Sequence, residues 1–185
     1  NLFNGEGVLI FDNGDSYIGD FVNDKYHGYG HLKNVSGYSY KGDWSFGIPN
    51  GLGKLIFIDG SSYKGEVRND KRHGKGMQIW PDEGTYEGDF KNNLRHGQGI
   101  QFSPDGKRYE GEFNNGKING YGVMVEANGS HYKGEWKEWR EHGQGTYTYS
   151  NGDLYKGEYV DGIKDGLGTW IANDGRQYIG QFKNG

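Results

Sequence analysis

A short segment that begins with tyrosine returns every 23 residues along this chain. Its commonest form is tyrosine, any residue, glycine, an acidic residue and an aromatic residue, and no insertion or deletion separates the copies. A fixed period of this length is typical of repeat proteins, in which each unit packs on its neighbours. The eight tyrosines, each taken as position 1 of a repeat, are Tyr17, Tyr40, Tyr63, Tyr86, Tyr109, Tyr132, Tyr155 and Tyr178.

Glycines and turn signals predict that each repeat is a β-hairpin. Positions 12 and 14 are glycine in every complete repeat, as in Gly28 and Gly30. Alternating segments at positions 1–5 and 13–18 are followed by turn-forming pairs such as Asn13 with Gly14. We expect positions 1, 3 and 5 to pair with positions 18, 16 and 14, so that each large side chain lies over a strand that has only glycine there.

The repeat frame predicts one array over residues 1–185. Seven complete repeats begin at residues 17, 40, 63, 86, 109, 132 and 155, between half repeats at 4–16 and 178–185, which gives about sixteen strands. The terminal repeats of such arrays are normally atypical. Because both ends are ordinary repeat sequence here, we expect the chain to be a segment of a longer array.

Composition limits both the core and the partners. Only 32% of the residues are hydrophobic, half of them aromatic, so a thick two-layer core is hard to build and aromatic rings must supply the packing. The net charge of −4 argues against nucleic acid as a partner. Cysteine is absent, which excludes disulfides and thiolate metal sites. No apolar run reaches the ~18–20 residues of a membrane-spanning helix.

The unit Tyr-x-Gly-[Asp/Glu]-[Trp/Phe], followed by the paired glycines, resembles the MORN repeat (membrane occupation and recognition nexus) over essentially the whole chain. The resemblance implies an all-β fold, an elongated and twisted single-layer antiparallel sheet of consecutive hairpins. It also implies a non-catalytic, cytoplasmic scaffold that binds proteins or membrane lipids at the cytoskeleton, the cilium or the cell cortex. Some members carry the array beside a lipid kinase or a lysine methyltransferase, so a regulatory array of a larger enzyme is a further alternative.

Two sets of polar residues could suggest a chemical site, and neither predicts one. Histidine fills position 11 in four repeats, but equivalent residues of neighbouring repeats lie ~9–10 Å apart, whereas zinc needs its ligands at ~2.0–2.1 Å. We therefore interpret His27, His73, His96 and His142 as turn residues and expect no metal and no cofactor. The acidic residues at position 4 share one environment in all repeats, while acid–base catalysis needs carboxylates with different pKa values. We assign them to solvation and register control and expect no catalytic residue.

Two features of the middle repeats predict binding. One is a basic edge for phosphates or an acidic partner, made of Arg68, Lys71, Arg72, His73, Lys75, Lys91, Arg95 and His96. The other is an apolar stripe on the face away from the tyrosines, made of Met77, Ile79, Ile100, Phe102, Val123 and Val125. We expect a protein partner there, either an amphipathic helix or an extended segment. Docking to phosphoinositides or an anionic membrane is the alternative, and self-association through exposed sheet ends is a further prediction.

Overall fold

The computed structural model describes residues 2–185, and every regular element in that range is a β-strand. The chain divides into two compact units, Asn1–Leu94 and Arg95–Gly185. The strands of the first unit are β1 (Gly5–Ile10), β2 (Ser16–Val22), β3 (Lys25–Lys33), β4 (Ser39–Ser45), β5 (Ile48–Ile56), β6 (Ser62–Arg68), β7 (Lys71–Trp80) and β8 (Gly84–Lys91). The strands from the unit boundary onward are β9 (Leu94–Phe102), β10 (Arg108–Asn114), β11 (Lys117–Val125), β12 (His131–Lys137), β13 (Arg140–Thr148), β14 (Leu154–Val160), β15 (Ile163–Ile171) and β16 (Gln177–Phe182).

In each unit the strands follow one another in the sheet in the order of the sequence, and every pair is antiparallel. Each repeat contributes one hairpin, so the predicted all-β class of consecutive hairpins is confirmed. No helix in residues 2–185 is long and apolar enough to cross a membrane.

The predicted pairing within the hairpin is wrong by two residues. Tyr17 pairs with Leu32 and Gly19 pairs with Gly30, so position 1 faces position 16 and position 3 faces position 14. Between repeats, Gly30 pairs with Gly42 in the same way. Because side chains alternate with a period of two, a two-residue shift keeps every side chain on its predicted face.

The shift lines up glycines across the strands, and the tyrosine rings need that space. A Cβ atom on Gly30 would lie 2.2 Å from the hydroxyl oxygen of Tyr17, and one on Gly53 would lie 2.4 Å from Cε2 of Tyr40. Each tyrosine ring thus lies flat across a pair of glycines, which no residue with a side chain could replace without displacing the ring. The glycine row of the first unit is Gly7, Gly19, Gly30, Gly42, Gly53, Gly65, Gly76 and Gly88.

A β-bulge follows each glycine pair in the hairpins. In the first complete repeat, the pairing jumps from Gly19 with Gly30 to Asp20 with His27, and Gly28 at the bulge has φ +58°. The bulge interrupts the backbone ladder at position 4, and the position-1 hydroxyl donates a hydrogen bond to the carbonyl there. The bonds, 2.7–3.1 Å long, join Tyr17 to Asp20, Tyr40 to Asp43, Tyr63 to Glu66, Tyr86 to Asp89, Tyr109 to Glu112, Tyr132 to Glu135, Tyr155 to Glu158 and Tyr178 to Gln181.

The acidic side chain at position 4 also stabilises the bulge. The carboxylate of Asp43 accepts a hydrogen bond from the backbone N–H of Leu52 at 2.7 Å, and Glu66 accepts one from Lys75 at 3.1 Å. Equivalent bonds occur in four further repeats. Beyond the predicted solvation and register control, these carboxylates bind backbone donors that the bulge leaves without a strand partner.

The core lies on one face of the sheet in each unit. Seven of the eight tyrosines are almost completely buried there, together with the large residues at position 5. The rings meet edge to face, as between Tyr40 and Trp44 at 5.0 Å and between Tyr132 and Trp136 at 5.0 Å. Aromatic side chains thus close this face without a second layer, as the composition predicts.

Candidate binding surface

The face opposite the tyrosines carries large apolar side chains that nothing in its own unit covers. In the first unit Tyr29 is 57% exposed and Leu52 is 64% exposed. In the second unit Tyr121 and Leu167 are exposed in the same way. All four stand at position 13, which the sequence analysis did not single out. Comparing that position across the repeats would have found them, because four of its seven residues are aromatic or leucine.

Two of the predicted partner-binding residues lie in the first unit, and both are accessible on this face. Met77 is 40% exposed and Ile79 is 42% exposed. Met77 stands between Lys64 and Glu87 on the neighbouring strands, so it is flanked by charges of opposite sign. The apolar surface therefore consists here of separate side chains with polar neighbours.

The other four lie in the second unit, and the predicted continuous stripe is wrong there. β10 runs between them, so Glu110 separates Ile100 from Val123, and Arg108 separates Phe102 from Val125. Arg108 forms an ion pair with Glu110, and its guanidinium lies 5.8 Å from the centre of the Phe102 ring. The prediction of the stripe considered only the second strand of each hairpin. The first strand of the next repeat lies between two such strands, and its side chains separate the apolar ones.

Two of the three arginines of the predicted basic edge, Arg72 and Arg95, turn onto the tyrosine face. The guanidinium of Arg72 donates to the Gln78 side chain at 2.7 Å and to the carbonyl of Asn93 at 2.9 Å. Burial lowers the pKa of Arg72 from its ordinary value. In the second unit, Arg95 donates to the Gln101 side chain at 2.8 Å.

Both guanidinium groups also lie against aromatic rings. That of Arg72 is 5.8 Å from the centre of the Phe90 ring, and that of Arg95 lies between Phe113 at 5.6 Å and Trp139 at 5.2 Å. These contacts place both arginines among the side chains that close the tyrosine face.

The remaining basic residues do not form one edge either. The side chain of Lys75 lies on the opposite face and forms an ion pair with Asp89 at 2.7 Å. Arg68 and Lys71 pair with each other where β6 turns into β7, and both are exposed. Lys91 is exposed, while His73 and His96 are half-buried. The predicted edge is thus corrected: its members divide between two faces and the turn ends, because alternate residues of a strand point to opposite sides.

Two of the four histidines at position 11 join neighbouring turns. Nδ1 of His27 accepts a hydrogen bond from the backbone N–H of Phe46 at 3.4 Å, and Nδ1 of His142 accepts one from Asp161 at 3.5 Å. The side chain of Asn50, at the same position, accepts one from the backbone N–H of Asn69. This is the turn role that the sequence predicts for the position. Within residues 2–185, no group of three or more His, Cys, Asp or Glu side chains could hold a metal ion.

Comparisons with known proteins agree with the repeat frame. The family model described as "MORN repeat" matches residues 1–16, 17–37, 40–62, 63–85, 86–108, 109–131, 132–154 and 155–175. The comparison with curated protein sequences returned no match.

Two solved structures illustrate the structural likenesses. One is the SAS-4 (dCPAP) TCP domain of Drosophila melanogaster in complex with a proline-rich motif of Ana2 (dSTIL). It is 11% identical, with 96% of this chain and 90% of that chain covered, at a TM-score of 0.47. Another is a catalytically inactive virginiamycin B lyase from Staphylococcus aureus with quinupristin, 14% identical, with 98% and 71% covered, at a TM-score of 0.19. At these values neither neighbour assigns a function.

Proposed function

The chain belongs to the MORN-repeat family, and from that premise we propose that it is a non-catalytic scaffold that binds a protein partner on the sheet face opposite the tyrosines. The observation that carries the proposal is the difference between the two faces. The tyrosine face is closed by the chain's own rings, whereas the opposite face leaves Tyr29, Leu52, Met77, Ile79 and Phe102 exposed. Four of these side chains, those of Tyr29, Leu52, Met77 and Ile79, line one groove of the first unit, and exposed apolar side chains gathered in one place are typical of partner sites.

The family also supports a scaffold rather than an enzyme as the proposal. A repeat sheet offers a succession of similar surfaces, which suits a long segment of a partner better than a small molecule. The position-4 carboxylates, the most regular polar groups of the array, bind the backbone of their own bulges. Residence at the cytoskeleton, the cilium or the cell cortex is part of this proposal, and imaging of the tagged chain in cells would test it.

Affinity capture from cell extract, with the whole chain as bait, tests the binding face. The variant Ile79→Asp/Phe102→Asp changes one exposed residue of the face in each unit, and we expect it to lose bound proteins that the parent chain retains. A matched control is Val35→Asp/Ile58→Asp, which places the same two charges at exposed apolar residues in turns outside the strands. Circular dichroism and urea unfolding must show that all three chains are folded. If Ile79→Asp/Phe102→Asp retains the same partners as the control, this face is not the binding face.

A further inference from the structure

Three lysines lie side by side on neighbouring strands of the first unit, on the face opposite the tyrosines. Lys41 pairs with Lys54, and Lys54 pairs with Lys64. We call these three residues the lysine ladder. His31 extends the row, since it pairs with Lys41 on the other side. Directly paired residues have Cβ atoms ~4.5–5.5 Å apart, and like charges at that separation destabilise a sheet.

The ladder lysines form no ion pair within residues 2–185. All three side chains are exposed, and none of their ammonium groups lies within 4.0 Å of a carboxylate oxygen in residues 2–185. Burial lowers the pKa of His31, and the charges of Lys41 and Lys33 lower it further, which favours the neutral form of its ring. The row therefore presents three ammonium groups to solvent without an ion pair.

The fold itself does not require this arrangement. In the second unit, Lys133 and Lys156 occupy the same repeat position as Lys41 and Lys64, but Thr146 separates them. Those strands pair in the same register without contact between like charges. The sheet of the first unit therefore gains no stability from placing these lysines side by side.

The ladder lines one side of a groove. The glycine row lies next to it, and Tyr29 and Leu52 stand on the other side of that row. Met77 and Ile79 line the end of the groove beyond Lys64. A segment lying in this groove would contact exposed apolar side chains on one flank and lysines on the other.

We propose that this groove binds an α-helix of a protein partner that lies across the strands, with acidic residues against the lysine ladder and apolar residues against Tyr29 and Leu52. The proposal rests on the proposed function, and it names the chemistry of the partner.

The spacings of sheet and helix agree. Tyr29 and Leu52 are one repeat apart, which is two strand spacings or ~9.6 Å, and seven residues of a helix rise ~10.5 Å. The ladder repeats at ~4.8 Å, close to the ~4.5–6 Å between helix residues three or four apart.

The same face argues against a flat anionic membrane as the occupant. Asp43 and Glu66 pair with Tyr29 and Leu52, so carboxylates stand on the flank of the groove away from the ladder. A bilayer would meet those carboxylates together with the lysines. A helix has sides of different chemistry, and it can present acidic residues to the lysines alone.

Two synthetic peptides test the proposal on the full 185-residue chain. Both are about 20 residues long, enough to be helical when bound, and share one leucine stripe; one carries glutamate beside it and the other lysine. We expect the glutamate peptide to bind more tightly, and Lys41→Thr/Lys54→Thr/Lys64→Thr to weaken that binding about 10-fold or more, since three exposed charge pairs are lost. The matched control Lys133→Thr/Lys156→Thr should bind as the parent does.

Unfolding and vesicle measurements complete the experiment. Because the ladder lysines repel one another, the triple variant should resist urea at least as well as the parent, which excludes unfolding as the cause of lost binding. The proposal is overturned if both lysine variants bind the glutamate peptide equally, or if the two peptides bind alike. It is also overturned if only vesicles containing phosphatidylserine or phosphoinositide bind and the triple variant abolishes that binding.

A further variant separates this proposal from the proposed function. If Tyr29→Asp/Leu52→Asp abolishes peptide binding while the triple lysine variant does not, the face is a binding face and the assignment of the ladder is wrong. If neither variant affects the peptide and Ile79→Asp/Phe102→Asp retains every partner in the capture experiment, both proposals fail.

Discussion

Replacing Tyr40 by phenylalanine tests whether the hydroxyl, rather than the ring, is what the tyrosine row requires. The ring is completely buried, and its hydroxyl donates to the carbonyl of Asp43 at 2.9 Å. Asp43 has no partner in β5, because the register shifts between Gly42 and Trp44. Phenylalanine would retain the packing of the ring and leave that carbonyl without its donor.

The expected cost follows from the chemistry of the lost bond. A buried acceptor without a partner costs ~1–3 kcal/mol. For a chain of this length each kcal/mol lowers the unfolding temperature by about 2–4 °C. We therefore expect Tyr40→Phe to unfold about 2–12 °C below the parent.

Urea and thermal unfolding followed by circular dichroism measure the difference. The control is Tyr29→Phe, which removes the same atom from an exposed ring on the opposite face, on the residue that pairs with Asp43. A surface change of this kind usually shifts stability by less than ~0.5 kcal/mol. If the two variants unfold alike, the hydroxyl at position 1 does not stabilise the bulge and the reasoning is refuted.

Three further predictions concern the glycine row, the bulge and the buried tyrosines. Gly53→Ala should be strongly destabilising, by at least ~2 kcal/mol in urea unfolding, because its Cβ would lie 2.4 Å from the Tyr40 ring. Asp43→Ala should cost about 1 kcal/mol by the same assay, because the N–H of Leu52 loses its 2.7 Å acceptor. Raising the pH should also destabilise the chain. Burial raises the pKa of Tyr63 from its ordinary value of 10.0 to about 12. Between pH 10.0 and about pH 12 the folded state therefore holds a proton that the unfolded state releases, so stability falls as the pH rises. Tyrosinate absorbance should then rise together with loss of the circular-dichroism signal.

Each of these predictions has a result that would contradict it. Gly7→Ala is the control for the glycine row, because its Cβ would lie 3.2 Å from the Phe21 ring and should be tolerated better. An equal loss of stability in both glycine variants would mean that backbone freedom, not ring contact, explains the row. For the bulge, an Asp43→Ala variant that is as stable as the parent would show that the carboxylate does not stabilise the hairpin. For the pH dependence, ionisation of all the tyrosines with a midpoint near pH 10 in a folded chain would show that the rings are not buried as described.

The hairpins could be predicted from the sequence, but their register could not. The 23-residue period and the turn pairs sufficed for the fold class, because every repeat carries the same signals. Pairing Gly19 with Gly30, rather than with a bulky residue, depends on the room that the Tyr17 ring needs above both. Both pairings place the same side chains on the same faces, so alternation alone does not distinguish them.

The candidate site was predicted less well, because the direction of individual long side chains depends on their bonding partners. A basic residue is normally exposed, so Arg72 and Arg95 were assigned to an edge, whereas each bonds a glutamine six residues later. The two repeats with arginine at position 10 are the two with glutamine at position 16, Gln78 and Gln101, and this pairing is visible in the sequence. The direction in which a long flexible side chain turns depends on such partners, not on its residue type.

Because every repeat pairs in the same register, a destabilising substitution should act mainly on the hairpin that carries it. The hydroxyl bond and the carboxylate bond of the bulge stay within one repeat, and strands pair only with their sequence neighbours. Such a chain behaves as a row of locally coupled states, in which stability is a sum over repeats and their junctions. A variant such as Gly53→Ala would then open its own hairpin at a low urea concentration while distant repeats retain slow amide exchange. Limited proteolysis should therefore cut the damaged chain first at the altered repeat.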